Sequence, residues 1–166
     1  MIDDKAELEA CWPRLATDSY SYNITSGRCP RYNCVAWVAD DMERWWEPED
    51  RGGWHWPHGL PRDDYSLANY VAAFETLRFE KCADGLPEPG VEKIAIYVDD
   101  DHEFTHVARQ LDDGWWSSKL GMFNDISHQS LEALLRGRPE RYGETFTYMM
   151  RLRTAPSRPR SGLLLP

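Results

Sequence analysis

Hydrophobic and polar positions divide the chain into a helical first half and a strand-rich second half. Leu8, Cys11, Trp12 and Leu15 recur at helical spacing, so the pattern predicts a first helix from Lys5 to about Leu15. A polar stretch from Thr17 to Tyr32, broken by Gly27 and Pro30, reads as loop with room for one short strand. Asn33 then stands as an N-cap before the run Cys34-Val35-Ala36-Trp37-Val38-Ala39, and the next strong breaker is Pro48. A loop rich in Gly, Trp, His and Pro covers 52–61. A third helix, capped by Asp63 or Asp64, sets Leu67, Tyr70, Val71, Phe74 and Leu77 on one face.

Beyond residue 90 the periodicity changes. Lys93-Ile94-Ala95-Ile96-Tyr97-Val98 is nearly continuous in apolar residues, the mark of a strand buried on both faces. The segment from Thr105 to Leu111 forms the next strand. Asp112-Asp113-Gly114 reads as a hairpin turn, with glycine available for positive φ, and Trp115 to Ser118 as the returning strand. A short helix is expected from Ser130 to Leu135 and a last strand from Tyr142 to Arg151. Helices followed by an antiparallel meander define an α+β class, with N-terminal helices packed on a C-terminal sheet.

At 166 residues the chain suits one domain, here placed at residues 1–151. Residues 152–166, basic and proline-rich, read as a flexible tail. Eight Trp, eight Tyr and five Phe exceed what a small core needs, so part of this aromatic surface is available to line a cleft or an interface. The net charge of −9 opposes phosphate binding and argues against a nucleic-acid partner. No apolar run approaches the roughly eighteen residues of a membrane span, and the acidic N-terminus lacks a signal-peptide pattern. Four irregularly spaced cysteines do not make a disulfide framework, so a reduced, cytoplasmic setting is expected.

Cys34 is the first candidate for chemistry. It falls in the first turn of a predicted helix, where a helix dipole would lower a thiol pKa and create a nucleophile. His106, in the second strand after it, is the candidate base. A third group should orient the imidazole. A turn centred on Asp113-Gly114 brings Ser117 to Lys119 opposite His106, which nominates Ser118; His128 is the other candidate, and Gln110 shares the strand face of His106. The alternative reading makes Cys34 a small core residue and His106 a structural one. Cys29-x₄-Cys34 fits a zinc half-site, but no second cysteine pair completes it, and His55 and His58 read as part of an aromatic loop. No phosphate loop, nucleophile elbow or zinc-protease motif occurs. Asp99-Asp100-Asp101 reads as a strand-end turn rather than a calcium loop, so neither metal nor cofactor is expected.

Tyr32-Asn33-Cys34-Val35-Ala36-Trp37, Ile94-Ala95-Ile96-Tyr97 and the block from His106 to Gly121 together resemble an uncharacterised bacterial domain family. Asp125-Ile126-Ser127-His128 and Tyr142-Gly143 extend the resemblance over residues 32–151. That family is itself of unknown function. The order helix-Cys, strand-His, returning strand is more distantly similar to papain-like, transglutaminase-like and NlpC/P60-like cysteine hydrolases. Asp113-Gly114-Trp115 matches the transglutaminase-like pattern, although Ser or Lys stands where its following Asp belongs. NlpC/P60-like domains carry the histidine before the "IAIY" strand, where Glu92 and Lys93 stand here. The resemblance implies a papain-like fold and a cysteine hydrolase acting on an amide or peptide bond, with a peptide or protein as substrate. The rival is a non-catalytic module, of immunity or scaffold type, whose acidity and aromatics suit a basic partner surface.

Overall fold

The computed structural model describes residues 4–135 and 146–153. The chain begins with α1 (Asp4–Cys11) and a 3₁₀ turn, η1 (Pro13–Ala16). The expected first helix therefore stops four residues short, because Pro13 lacks the N–H that would continue the α ladder. Leu8, Trp12 and Leu15 are nonetheless buried as the stripe predicts. Next come β1 (Tyr22–Ile24), α2 (Cys34–Val38) and α3 (Leu67–Glu75). They are followed by β2 (Glu80–Cys82), β3 (Val91–Val98), β4 (Phe104–Gln110), β5 (Trp116–Lys119) and β6 (Asp125–His128). A second 3₁₀ turn, η2 (Leu131–Leu134), and β7 (Phe146–Leu152) close the order. Of the expected last strand, Tyr142 to Thr145 lie outside the described residues, as does the tail beyond Arg153.

All seven strands join one antiparallel sheet in the order β1-β6-β5-β4-β3-β7-β2. The class is α+β. Its sheet is covered on both faces, so the layers are helix, sheet, helix. Ile94, Ile96, Val98 and Val107 face α2 and α3. Ala95, Tyr97, Ala108, Trp116 and Ile126 face α1, η1 and η2. Burial on both faces explains why β3 reads as an unbroken apolar run. β1 occupies the short strand for which the 17–32 loop leaves room, whereas β2 and β6, with three and four residues, carry too little pattern to be read and stand where loop is expected.

Two helix boundaries differ from expectation. α2 ends at Val38, well before Pro48, and Asp40 follows in the left-handed region (φ 57°). α3 is capped by Ser66, whose side chain accepts from Asn69 N–H, and not by Asp63 or Asp64. Asp64 instead accepts from Ser66 N–H and so holds the cap in place. The turn at Asp112–Gly114 forms as expected: Gly114 has φ 85°, and a Cβ there would approach Pro87 to 2.9 Å. Asp99 also caps its own turn, accepting from the N–H groups of Asp101 and Glu103.

The C-terminal end of α2 is fixed by a buried ion cluster. Arg109 donates to the Trp37 carbonyl (2.8 Å) and to Asp40 (2.7 Å), and its Nε donates to Glu92 (2.9 Å). Arg151 donates to the same Glu92 at 3.0 Å. No helix among the described residues is long and apolar enough to cross a membrane. Removing one member of a buried ion pair costs about 3 kcal/mol because the other charge is left unpaired. Arg109→Met should lower the unfolding free energy by about 2–3 kcal/mol in urea titration, the lower end reflecting the Arg151 contact that remains on Glu92.

Candidate active site

Asn33 fixes the start of α2 and its surroundings at once. Its Oδ1 accepts from the N–H of Ala36 (3.1 Å) and of Trp46 (3.3 Å), while its Nδ2 donates to the Trp46 carbonyl (2.7 Å). One amide therefore caps the helix and anchors the 45–47 segment beside it. Cys34, the first residue of α2, is thereby presented at the sheet.

The sheet is open where Cys34 meets it. β4 and β5 pair only at Arg109↔Ser117 and Gln110↔Trp116. Continued, that register would set Leu120 opposite His106, not Ser117 to Lys119 as the turn position suggests. Ser118 lies two residues along the same face, a diagonal neighbour within side-chain reach. His106 Nε2 and Ser118 Oγ are 3.0 Å apart, and Ser118 Oγ is 2.8 Å from His128 Nε2. His128 Nδ1 lies 2.8 Å from the Ser130 carbonyl oxygen. β6 pairs Trp116↔His128, so His106, Ser118 and His128 project from one face of three neighbouring strands.

This relay fixes the tautomers. A carbonyl oxygen only accepts, so His128 Nδ1 must carry a proton. Burial pushes His128 down to about 4, so the ring is neutral at pH 7 and its Nε2 is an acceptor. Ser118 then donates its one proton to His128 and accepts from His106 Nε2–H. His106 is left with a bare Nδ1. Burial, with a smaller contribution from His128, pushes His106 down to about 3, so it too is neutral. Among the described residues Nδ1 of His106 has no partner.

A cleft of about 350 Å³ contains both Cys34 and His106 in its wall. Trp45, Glu47, Tyr65 and Tyr70 form one side, and Leu120, Met122 and Phe123 the other. Its floor is nearly closed, with Cys34 and His106 each 8% exposed. No hydrogen bond joins the two among the described residues. The thiol also differs from the expectation of an acidified nucleophile. Burial pushes Cys34 up to about 11, and the backbone N–H groups of Val107 and Val35 offset this only in part. A five-residue helix has little dipole to oppose desolvation. The resting pair is thus a neutral thiol and a neutral imidazole. Cys29 is the acidified cysteine, its pKa lowered chiefly by the backbone N–H of Arg31.

Other candidates lie elsewhere. Gln110 Nε2 donates to the Gly85 carbonyl, away from the relay. Arg44 reaches His55 Nδ1 in the aromatic loop. Among the described residues no three His, Cys, Asp or Glu side chains are grouped to hold a metal ion. Sequence reasoning passes over Asn33 as anything but a cap, and it passes over Trp45 and Glu47, which the isolated bridge Trp46↔His55 brings to the cleft. Their only signal is the density of tryptophan between 45 and 56.

An aromatic-lined cleft with a cysteine at a helix start and a tautomer-fixed histidine on the adjoining strand defines an α+β domain with a candidate nucleophile–base site. The chain belongs to a family described as a domain of unknown function (DUF7689), whose model matches residues 23–150. No curated protein and no solved structure matches it.

Two measurements follow from this electrostatics. With Cys11, Cys29 and Cys82 changed to Ser, Cys34 should alkylate with iodoacetamide at pH 7 about a hundredfold more slowly than an ordinary thiol. Its rate should climb only toward pH 11. Stability should also fall on acidification. Both histidines have folded pKa values below the unfolded value near 6.5, so the unfolded chain binds more protons between pH 6.5 and 4. Stability is complete above pH 6.5 and should drop by about 2 kcal/mol between pH 6 and 5. His106→Asn and His128→Asn should each remove about half of that slope in urea titrations, and comparison with them cancels the other titrating groups.

Proposed function

We propose that the protein is a papain-like cysteine hydrolase that cleaves an amide or peptide bond. Cys34 is the nucleophile, His106 the general base, and Ser118 with His128 the positioning pair. The observation that carries this reading is the relay from the Ser130 carbonyl through His128 and Ser118. It leaves His106 Nδ1 unprotonated in the wall of the cleft that also holds Cys34.

In the reaction, Cys34 Sγ attacks the amide carbon while His106 Nδ1 takes the thiol proton. The C–N bond breaks as the imidazolium returns that proton to the leaving nitrogen. Water then attacks the thioester, giving a proton to His106, and the C–S bond breaks to release a carboxylic acid. The proton returns to sulfur and restores the thiol. The N–H of Cys34, the first of α2, closes no helical hydrogen bond and is one donor for the oxyanion. Because the resting pair is neutral, deprotonation accompanies attack and no preformed thiolate is needed.

A second reading, a non-catalytic protein-binding module, is favoured by the raised thiol pKa and by the lack of a Cys34–His106 hydrogen bond. The two separate in a screen of fluorogenic peptide amides. A hydrolase should turn over at least one substrate, and Cys34→Ser and His106→Asn should each cut kcat/KM by about a thousandfold or more. Ser118→Ala should cost about 10- to 100-fold in kcat while sparing KM, since it acts only through His106. The kcat/KM profile should be flat from pH 6.5 to 9, without the acid limb near 6.5 that an ordinary histidine gives. Turnover that survives Cys34→Ser would refute the assignment, and a well-folded wild type that cleaves nothing supports the binding module.

A further inference from the structure

Among the described residues, Glu47 is the one acidic side chain in the wall of the cleft. It is half-buried, and Trp45 Nε1–H donates to its Oε2 at 2.7 Å. Among the described residues no lysine or arginine approaches it. Arg44 is engaged by Asp41 and Arg62 by the carbonyls of Glu49 and Trp54. Burial raises its pKa, opposed by the Trp45 hydrogen bond; burial likewise raises those of Tyr65 and Tyr70, with a smaller contribution from the Glu47 charge. A carboxylate partly stripped of water, held by an indole N–H in a wall shared with two tyrosines and with no cation, lacks the counter-charge such a site normally holds.

The wall is also preorganised. Glu47 N–H donates to the His55 carbonyl (3.0 Å), and His55 N–H donates to the Trp45 carbonyl (2.9 Å). The intervening Trp46 is tied to Asn33, at the start of the helix that carries Cys34. Trp45 packs against Trp54 at a tilt of 39°, with centroids 5.8 Å apart, and one face of Tyr70 is covered by Phe104, parallel to it at 3.7 Å. A cleft lined by aromatic rings that also carries an uncompensated carboxylate suits an ammonium or guanidinium group.

We propose that the cleft takes a cationic side chain, lysine or arginine, of a peptide, with Glu47 receiving the charged head between Trp45, Tyr65 and Tyr70. Placing that side chain next to the bond that is cut rests on the hydrolase reading; binding of the cation does not. Glu47 is then the specificity-determining residue, and Trp45 orients its carboxylate.

The test is an NMR titration of the ¹⁵N-labelled full chain, following the Trp45 indole N–H, identified by its loss in Trp45→Phe. The probes are Nα-acetyl-lysine methylamide, the uncharged Nα-acetyl-norleucine methylamide and n-butylammonium. The lysine probe should shift the Trp45 signal and bind about tenfold tighter than the norleucine probe. The preference should shrink at about 0.5 M salt. Glu47→Gln keeps an acceptor for Trp45 and should bring the two affinities together, while Cys34→Ala should leave the tenfold ratio intact. No preference in the wild type, or a salt-insensitive preference that survives Glu47→Gln, overturns the inference. Butylammonium binding as tightly as the lysine probe overturns its peptide part. A lysine preference in wild type and Cys34→Ala, with the probe left uncleaved and no peptide amide turned over, upholds the cation site and counts against the hydrolase alone.

Discussion

The ladder between β4 and β5 breaks off after Arg109↔Ser117, and the arrangement of the site depends on that break. An antiparallel pair that continued would close the backbone over the position of Cys34 and leave no cleft. α2 packs across both strands at the opening: Trp37 Nε1 donates to Ser117 Oγ (3.0 Å) on β5, and the N–H of Val107 on β4 is directed to the Cys34 sulfur. The helix is held there from both ends, by the Asn33 amide and by Arg109, which binds the Trp37 carbonyl and Glu92 together. Five buried residues with no exposed face would not persist as a helix in isolation; tertiary packing imposes the conformation. The break also frees Lys119 to turn inward. Its Nζ donates to the carbonyls of Gly121 (2.5 Å) and Phe123 (2.6 Å) and lies 5.0 Å from the Tyr32 ring centroid. The loop forming the far side of the cleft is therefore shaped by a buried cation satisfied by backbone oxygens.

The relay joins three groups, none ionised at rest, in one direction of hydrogen bonding. Ser118 and His128 are fully buried and do not line the cleft. Their effect is to choose which nitrogen of His106 carries hydrogen. A carboxylate in place of Ser118 would raise the basicity of the imidazole by stabilising its cation. A hydroxyl backed by a second imidazole orients the ring with little charge compensation, so burial dominates and His106 is held far below its ordinary value. The same burial raises the thiol of Cys34. Desolvation thus moves both members of the pair toward their neutral forms, which disfavours the ion pair that an open cysteine–histidine site would adopt.

Much of this was legible in the chain, and the limits have physical causes. The buried strand at Ile94–Val98 and the turn at Gly114 were readable because each depends on local pattern. His106 and Ser118 are readable together because a hairpin with a short turn joins their strands, whereas His128 reads as lying in the loop beyond and is brought to Ser118 by the unexpected strand β6. The length of α2 was not readable, since an all-apolar segment carries no amphipathic period and the stop is enforced by Asp40 and Arg109 from outside. Ser118 meets His106 as a diagonal neighbour and not directly opposite it, because a hairpin turn does not reveal where its ladder will end. The acidity of Cys34 is not readable for the same kind of reason. A helix start is visible in sequence, whereas the desolvation that outweighs it is a property of the assembled cleft. Glu47 was invisible because its place depends on the bridge between Trp46 and His55, two residues in what reads as loop.

The aromatic load takes on a function in this arrangement. Trp37, Tyr70 and Phe104 lie within the core that α2 and α3 share with the sheet, and Trp12 packs at 5.9 Å against Phe123 on the far side of the cleft. Large flat side chains on both sides of the opening keep water from the sulfur and the imidazole. Such exclusion is costly for a charged pair and cheap for a neutral one. An aromatic cleft and an uncharged cysteine–histidine pair are therefore consequences of one another, and the single half-buried carboxylate among those rings is the group in the cleft that departs from that economy. A charge kept where desolvation opposes it, with no cation to offset it among the described residues, is best understood through what enters the cleft.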